Sequence, residues 1–216
     1  MTNEVPGTVH LVDDEAAVRD ALGFLFHTHG MAACTYASGP EFLAALDAAL
    51  KAEPLRGCIV LDVRMEPLSG LQVQGELIAR SNTLPIIFLS GHGDIPMAVD
   101  ALQKGAFDFV EKPFSDDALV QRVQRALDRE AQLHAARGDD ERVAAHLAAL
   151  IDREHEVMLQ VAAGKLNKVI ADDLGIAIRT VEVHRARVFA KLGVRSAAEV
   201  ATLLARHGGA GAGVAP

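Results

Sequence analysis

The stretch GCIVLD (57–62) decides the fold: a short apolar run rich in branched side chains, closed by the carboxylate of Asp62. A run of this length and type reads as a strand buried on both faces, as in a parallel sheet. Three other runs end in the same manner. TVHLV (8–12) stops on Asp13 and Asp14, PIIFL (85–89) on Ser90, and FDFVE (107–111) on Lys112 with Pro113 behind it. In open α/β sheets, ligands and chemistry lie beyond the carboxyl ends of the strands. Three aspartates, a hydroxyl and a lysine are therefore expected to meet in one pocket. A lone aspartate at a strand end is more often a turn or helix cap; the whole set, in order, points to function.

The chemistry these residues fit is acyl-phosphate formation. Crowded carboxylates either hold a proton or bind a cation. Mg²⁺ takes an octahedral shell of oxygens, usually one or two carboxylates with waters and phosphate oxygens. Asp13, Asp14 and Asp62 suit that ion. With the metal and Lys112 screening charge, one carboxylate can attack a phosphoryl group. Asp62 is the candidate nucleophile because it ends the middle strand of the set. Ser90 is placed to hydrogen-bond a phosphoryl oxygen, and Lys112 to pair with it.

At VDDE (12–15), CIVLDVRM (58–65), FLSGHGD (88–94) and DFVEKPF (108–114) the chain resembles the receiver domains of two-component response regulators, in particular the FixJ subfamily. The resemblance covers about the first 125 residues. It implies a flavodoxin-like α/β fold, a five-stranded parallel sheet of order 2-1-3-4-5. It also makes Asp62 the phosphoacceptor, Asp13 and Asp14 Mg²⁺ ligands with Asp62, and Ser90, Phe109 and Lys112 the switch residues. Lys112-Pro113 matches the family's cis peptide bond. One departure follows LDVRM, where such receivers read Pro-Gly-Met-Ser-Gly and this chain reads Glu66-Pro67-Leu68-Ser69-Gly70. The added carboxylate either raises the barrier to an incoming anion or points to solvent, and the second reading is favoured.

At 216 residues the chain is long enough for two small domains. Half of it is apolar, aromatics are few and tryptophan is absent, so the core is aliphatic. No stretch approaches a membrane span and no signal peptide opens the chain, so a cytoplasmic protein with no membrane partner is expected. Cys34 and Cys58 fall in apolar runs without metal-ligand spacing and read as buried, reduced thiols. Nine histidines are scattered, without an HExxH pair. Charge is uneven: residues 1–128 carry nine Lys/Arg against eighteen Asp/Glu, and residues 129–216 carry twelve against eleven. Within 179–195, Arg179, Arg185, Arg187, Lys191 and Arg195 face only Glu182. A basic segment inside an acidic protein is a footprint nucleic acid selects.

Ser115 is placed to cap a helix whose stripe is Leu119, Val123, Ala126 and Leu127. The stripe fades over 132–137, and Gly138-Asp139-Asp140 reads as a break. Val143, Leu147 and Leu150 suggest a further short helix, making a semi-rigid linker. Helices are expected over 152–163, 168–174 with Asn167 as cap, and 178–192, with a tight turn at Gly175. Ala171, Gly175, Ile178 and Val181 stand at helix-turn-helix intervals. The tail GGAGAGVAP (208–216) has nothing to bury and is expected to be disordered. The divisions are thus 1–127, a helical linker over 128–148, a second domain over 149–207, and the tail.

GKLNKVIADDLGIAIRTVEVHRARVFAKLGVRS (164–196) is similar to the LuxR-type DNA-binding domain of the FixJ/NarL family. This implies an all-α four-helix domain whose third helix enters the major groove. The resemblance places Thr180, Val181, Val183, His184 and Arg187 along the recognition helix, with inward packing the better reading for Val181. It makes Lys168, Arg179, Arg185 and Lys191 phosphate contacts, which position rather than specify. The helix over 196–206, with Val200, Leu203 and Leu204, looks like the family's dimerisation helix. Two positions depart from the pattern. Leu150-Ile151-Asp152-Arg153-Glu154 replaces Leu-Thr-x-Arg-Glu, with Asp152 a substitute cap, and Ala177 stands where a serine usually caps the recognition helix.

The resemblance implies a transcription regulator, not an enzyme, phosphorylated by a sensor histidine kinase and binding promoter DNA as a homodimer, with RNA polymerase a further partner. Phosphorylation would draw in Ser90 and Phe109 and reshape the face over 94–104 and 107–110, where Pro96, Met97, Val99 and Ala101 are candidate contacts. Dimerisation through that face and release of an inhibitory contact between the domains both remain open. A nucleotide- or flavin-binding enzyme lacks its glycine loop, since neither GxGxxG nor GxxxxGK[ST] occurs. A pseudo-receiver run by a protein partner or small molecule has only Glu66-Pro67 in its favour.

Overall fold

A computed structural model describes residues 7–50, 53–91 and 95–207. The chain divides into two compact units, Met1–His134 and Ala135–Pro216, each described here by itself. The tail over 208–216 lies outside the described residues.

In the first unit, five strands alternate with helices: β1 Thr8–Val12, α1 Ala16–Thr28, β2 Ala33–Tyr36, α2 Gly39–Ala49, β3 Gly57–Asp62, α3 Gly70–Ala79, β4 Ile86–Ser90, α4 Ile95–Gln103, β5 Asp108–Glu111 and the start of α5, Asp116–Ala148. All strands are parallel, in the order β2-β1-β3-β4-β5. This is the expected doubly wound sheet with β3 at its centre. Every residue of β3 and β4 is buried, because helices cover both faces. One core layer joins Ile59, Leu61 and Phe88 to Phe42, Val73 and Leu77; the other joins Val9, Leu11, Val60 and Leu89 to Phe26, Leu119 and Val123. Burying each such side chain contributes about 1.5–3 kcal/mol. The edge strand β2 is half-buried to exposed. That placement corrects the reading of Cys34, which is exposed, while Cys58 on β3 is buried.

Helix α5 also differs from expectation. It runs unbroken through Gly138, Asp139 and Asp140 and takes in Val143 and Leu147. A solvent-facing glycine costs a helix only about 1 kcal/mol relative to alanine, and Arg142 reaches back one turn to pair with Asp139.

The second unit packs α6 Asp152–Ala162, α7 Asn167–Leu174, α8 Ile178–Leu192 and α9 Ala197–His207. Gly175 ends α7 in the left-handed conformation, φ 64°, which makes the tight turn into α8. Ala171 and Val181 are buried with Val157, Val161 and Ile170, so the two helices of the turn share one core. Val188, Leu192 and Val200 pack with Met158 in a second cluster. Three capping expectations need correction or restatement. Asn167 is the first residue of α7 instead of its cap, and its side chain accepts a hydrogen bond from Arg185 Nη1 at 3.1 Å. Asp152 does not cap α6; the Glu154 carboxylate instead accepts from the Ile151 N–H at 3.2 Å. Ala177 precedes α8 with no side-chain cap, as its methyl group requires.

Candidate functional site

The four strand ends converge as their sequence suggests. Asp62 closes β3, Asp13 follows β1, Ser90 closes β4 and Lys112 follows β5. Lys112 Nζ donates to Asp62 Oδ1 at 2.7 Å and to Asp13 Oδ2 at 3.4 Å. The second oxygen of Asp62 accepts from the Arg64 N–H at 2.6 Å, and Asp13 Oδ1 accepts from the Glu15 N–H at 2.9 Å. Arg19 Nη1 donates to the Asp13 carbonyl at 2.7 Å. Asp13 is only 1 % exposed, Asp62 7 % and Ser90 1 %. The Lys112 N–H donates to the Ser90 carbonyl at 2.7 Å, which fixes the β4 and β5 ends to each other.

Gly70 is part of this construction. A Cβ there would lie 2.2 Å from the Asp62 carbonyl oxygen, so only glycine lets α3 start against the end of β3. Ser69 caps that helix in a reciprocal box with Gln72. Glu66 is exposed, in keeping with the solvent-facing reading of its carboxylate. The Glu66–Pro67 and Lys112–Pro113 peptide bonds are both cis.

Electrostatics follow from burial. Desolvation pushes the Asp13 carboxyl above its ordinary value, against the Glu15 N–H bond and the Lys112 charge that favour its ionised form. For Lys112, burial works to lower the ammonium pKa, but the bond and charge of Asp62 outweigh it and the net direction is up. Two buried carboxylates thus share one cation. Hard oxygen donors converging on a single positive charge are the setting Mg²⁺ accepts, since it needs only one or two carboxylates besides water. Asp14 is exposed, and among the described residues no three His, Cys, Asp or Glu side chains are grouped to hold a metal. The three-carboxylate set is therefore not assembled. Asp13 turns inward, held by the Glu15 N–H, and its neighbour stays in solvent.

Phe109 is half-buried, with its ring 6.1 Å from that of Phe88. On α4, Ile95 is 77 % exposed and Val99 and Leu102 are exposed beside it. Ala101, expected as a contact residue, is instead fully buried, since it belongs to the core layer of Phe88, Val73 and Leu77, and its carbonyl accepts from Gln74 Nε2 at 2.9 Å. His92, Gly93 and Asp94 lie outside the described residues.

On α8, Val181, Val188 and Leu192 face inward and leave Arg179, Thr180, Val183 and Arg187 exposed along one side. Lys168 on α7 is exposed as well. His184 is half-buried, and its Nδ1 has no hydrogen-bond partner among the described residues. Two of the expected phosphate contacts are otherwise engaged. Lys191 donates to the buried Glu154 at 2.6 Å and to the Ala149 carbonyl at 2.8 Å. Arg185 binds Asn167 and lies over the Phe189 ring, 5.2 Å from its centroid. The Glu154 and Asn167 bonds carried no signal in the sequence, because each partner lies on another helix at least eighteen residues away, whereas Phe189 stands one turn from Arg185 on α8 itself. Among the described residues no helix is long and apolar enough to cross a membrane.

Comparison with known proteins agrees with both halves. Residues 9–124 match the response regulator receiver domain model, and residues 148–204 match that of the bacterial regulatory proteins of the luxR family. The C4-dicarboxylate transport transcriptional regulatory protein DctR of Rhodobacter capsulatus is 49 % identical over 91 % of this chain and 98 % of its own length. The transcriptional regulatory protein FixJ of Azorhizobium caulinodans is 42 % identical over 96 % of this chain and 94 % of its own. Among solved structures, the response regulator StyR superposes with a TM-score of 0.83 at 36 % identity, covering 94 % of this chain and all of that one.

Proposed function

Because the chain belongs to the two-component response regulators that join a receiver to a LuxR-type DNA-binding domain, and is thus a transcription regulator rather than an enzyme, we propose that phosphoryl transfer to Asp62 controls its binding to promoter DNA. The observation that carries this reading is the Asp13–Lys112–Asp62 constellation, two buried carboxylates bonded to one half-buried lysine at the carboxyl ends of β1, β3 and β5. On this reading residues 1–127 form the phosphoacceptor domain, 128–148 the linker and 149–207 the DNA-binding domain.

The donor is a sensor histidine kinase. Asp62 Oδ1, freed from Lys112, attacks the phosphorus; the bond to the donor nitrogen breaks and its electron pair stays with the imidazole. Asp13 and Asp62 would hold Mg²⁺ with waters, joined by Asp14 once its exposed side chain turns inward, and the ion would supply charge neutralisation for the phosphoryl group. Lys112 moves from the Asp62 carboxylate to a phosphoryl oxygen, and the Ser90 hydroxyl donates to another. Ser90 moves toward the phosphoryl group and Phe109 turns into the space it leaves. That shift alters the face bearing Ile95, Val99 and Leu102. These exposed apolar side chains give two phosphorylated copies a surface to share.

In the DNA complex α8 enters the major groove. Thr180, Val183, His184 and Arg187 face base edges, while Lys168 and Arg179 contact phosphates, joined by Arg185 and Lys191 to the extent that their locks release. A homodimer sets two such helices on half-sites about one turn of DNA apart, and RNA polymerase is the further partner of the bound dimer. The reading places the protein in the cytoplasm, where kinase and DNA are reached. Sedimentation of wild type and Asp62→Asn with Mg²⁺ and beryllofluoride tests the switch. A monomer-to-dimer shift in wild type alone supports it. A wild type that binds beryllofluoride yet stays monomeric favours release of an inhibitory contact between domains, and identical behaviour of the two proteins refutes control through Asp62.

A further inference from the structure

The sheet has a second end. Opposite the carboxylates, at the amino-terminal ends of β4 and β5, lies a cavity of about 460 Å³, a volume in the range that small organic ligands occupy. Its inner wall is apolar and buried: Leu77 of α3, Leu84, Ile86 at the start of β4, and Ala106 just before β5. Two large apolar side chains flank it while partly in water, Ile78 at 52 % exposure and Phe107 at 36 %.

The charged part of the lining has one sign. Lys104 and Arg129 border the cavity, and among the described residues no aspartate or glutamate does. Lys104 pairs with Asp100 at 2.7 Å, but both side chains are about half exposed and such a pair holds weakly. Arg129 is exposed and makes no ion pair with the described residues. This guanidinium borders an apolar hollow in an acidic unit, since residues 1–134 carry ten Lys/Arg against nineteen Asp/Glu. An inorganic anion would leave the apolar wall wet. A neutral hydrocarbon would strip water from beside Arg129 without replacing its hydrogen bonds.

We propose that this cavity binds a small amphipathic organic anion, an aryl or short-chain alkyl carboxylate. Its apolar body lies against Leu77, Ile86 and Phe107, and its carboxylate pairs with the planar donor fork of Arg129. The site also touches the elements that carry the switch. Ile86 begins the strand that ends at Ser90, and Phe107 precedes the strand that ends ahead of Lys112. The two walls are joined directly, since the Phe107 N–H donates to the Ile86 carbonyl at 2.8 Å. A ligand wedged between these positions bears on β4 and β5 without contacting the carboxylate pocket. Binding itself does not require phosphorylation.

The test is calorimetric titration of the full chain with 4-phenylbutyrate, set against acetate and 4-phenylbutanol. Methyl NMR of the Leu77, Leu84 and Ile86 signals locates the site. Phenylbutyrate is expected to bind saturably and to shift those signals. Acetate, lacking the apolar body, and phenylbutanol, lacking the charge, are expected to bind about tenfold more weakly or less. Arg129→Gln and Ile78→Glu alter exposed side chains and so leave the melting temperature unchanged, while each weakens phenylbutyrate about tenfold. No saturable binding, equal affinity in both variants, or phenylbutanol binding as tightly as phenylbutyrate overturns the proposal.

Discussion

Asp13 sits in a setting that works against its own charge. Burial raises its carboxyl pKa above the ordinary 3.8, so the folded state holds that proton more tightly than the unfolded chain does. Its share of stability therefore falls as pH rises from about 3.8 through the raised value, and at neutral pH the ionised group is a net cost. Asp13→Asn keeps an oxygen to accept from Glu15 and is expected to raise the melting temperature at pH 7. Mg²⁺ should stabilise wild type, by about 2.7 kcal/mol at a hundredfold excess over Kd, with a much smaller gain in the variant; thermal melts with and without the ion check both. The thiols give a second contrast. Burial, then the charge of Glu130, pushes Cys58 up to about 12, while Cys34 is exposed. Native protein at pH 8 should take one equivalent of a thiol reagent, and the second only after unfolding, with peptide mapping placing the first on Cys34. Asp62, Asp13 and Lys112 were legible because each closes or follows an apolar run. The Arg64 and Glu15 amides were not, since every residue carries a main-chain donor and only the fold aims it. Cys34 was misread because ACTY (33–36) resembles a buried strand, and nothing within it reveals that it lies at the sheet edge.

At the scale of elements, periodicity located helices well and their ends less well. The stripe of Leu119, Val123, Ala126 and Leu127 marked α5, but its continuation past Gly138 rests on good helix formers in solvent, which leave no apolar pattern. In α8 the missing cap has a consequence. Ala177→Ser can accept a hydrogen bond from the first turn and should stabilise the helical unit by about 0.5–2 kcal/mol, read from urea unfolding of the full chain. The lysines of α7 and α8 should also separate by mechanism. Lys168 is exposed, so Lys168→Ala should weaken DNA binding and reduce the salt slope by about one. Lys191 is bonded to Glu154, and that bond, with help from the Ile151 N–H, holds the Glu154 carboxyl below its ordinary value. Lys191→Ala should destabilise the unit by roughly 1–3 kcal/mol and leave the salt slope nearly unchanged. The contribution of Glu154 is present above its unfolded pKa and is lost as pH falls through its lowered folded value. Salt titrations of the two variants at one temperature distinguish contact from scaffold.

For the whole molecule, two units of opposite character lie on one chain: an acidic α/β unit that concentrates carboxylates at one end of a sheet, and a helical unit with a basic exposed face. The sheet order and the helix-turn-helix were readable from short runs and from glycine and alanine intervals, which local sterics dictate. The Lys191–Glu154 lock and the cavity beneath β4 and β5 were not, since both arise from residues that only tertiary packing brings together. On the proposed reading, phosphorylation of Asp62 joins the two units in function. The direct measurement is the intact mass of wild type and Asp62→Asn after incubation with Mg²⁺ and acetyl phosphate, followed by peptide mapping of the acyl phosphate. Gain of one phosphoryl group in wild type, mapped to Asp62 and absent from the variant, is the predicted result. An unmodified wild type, or a phosphoryl group carried equally by the variant, would contradict it.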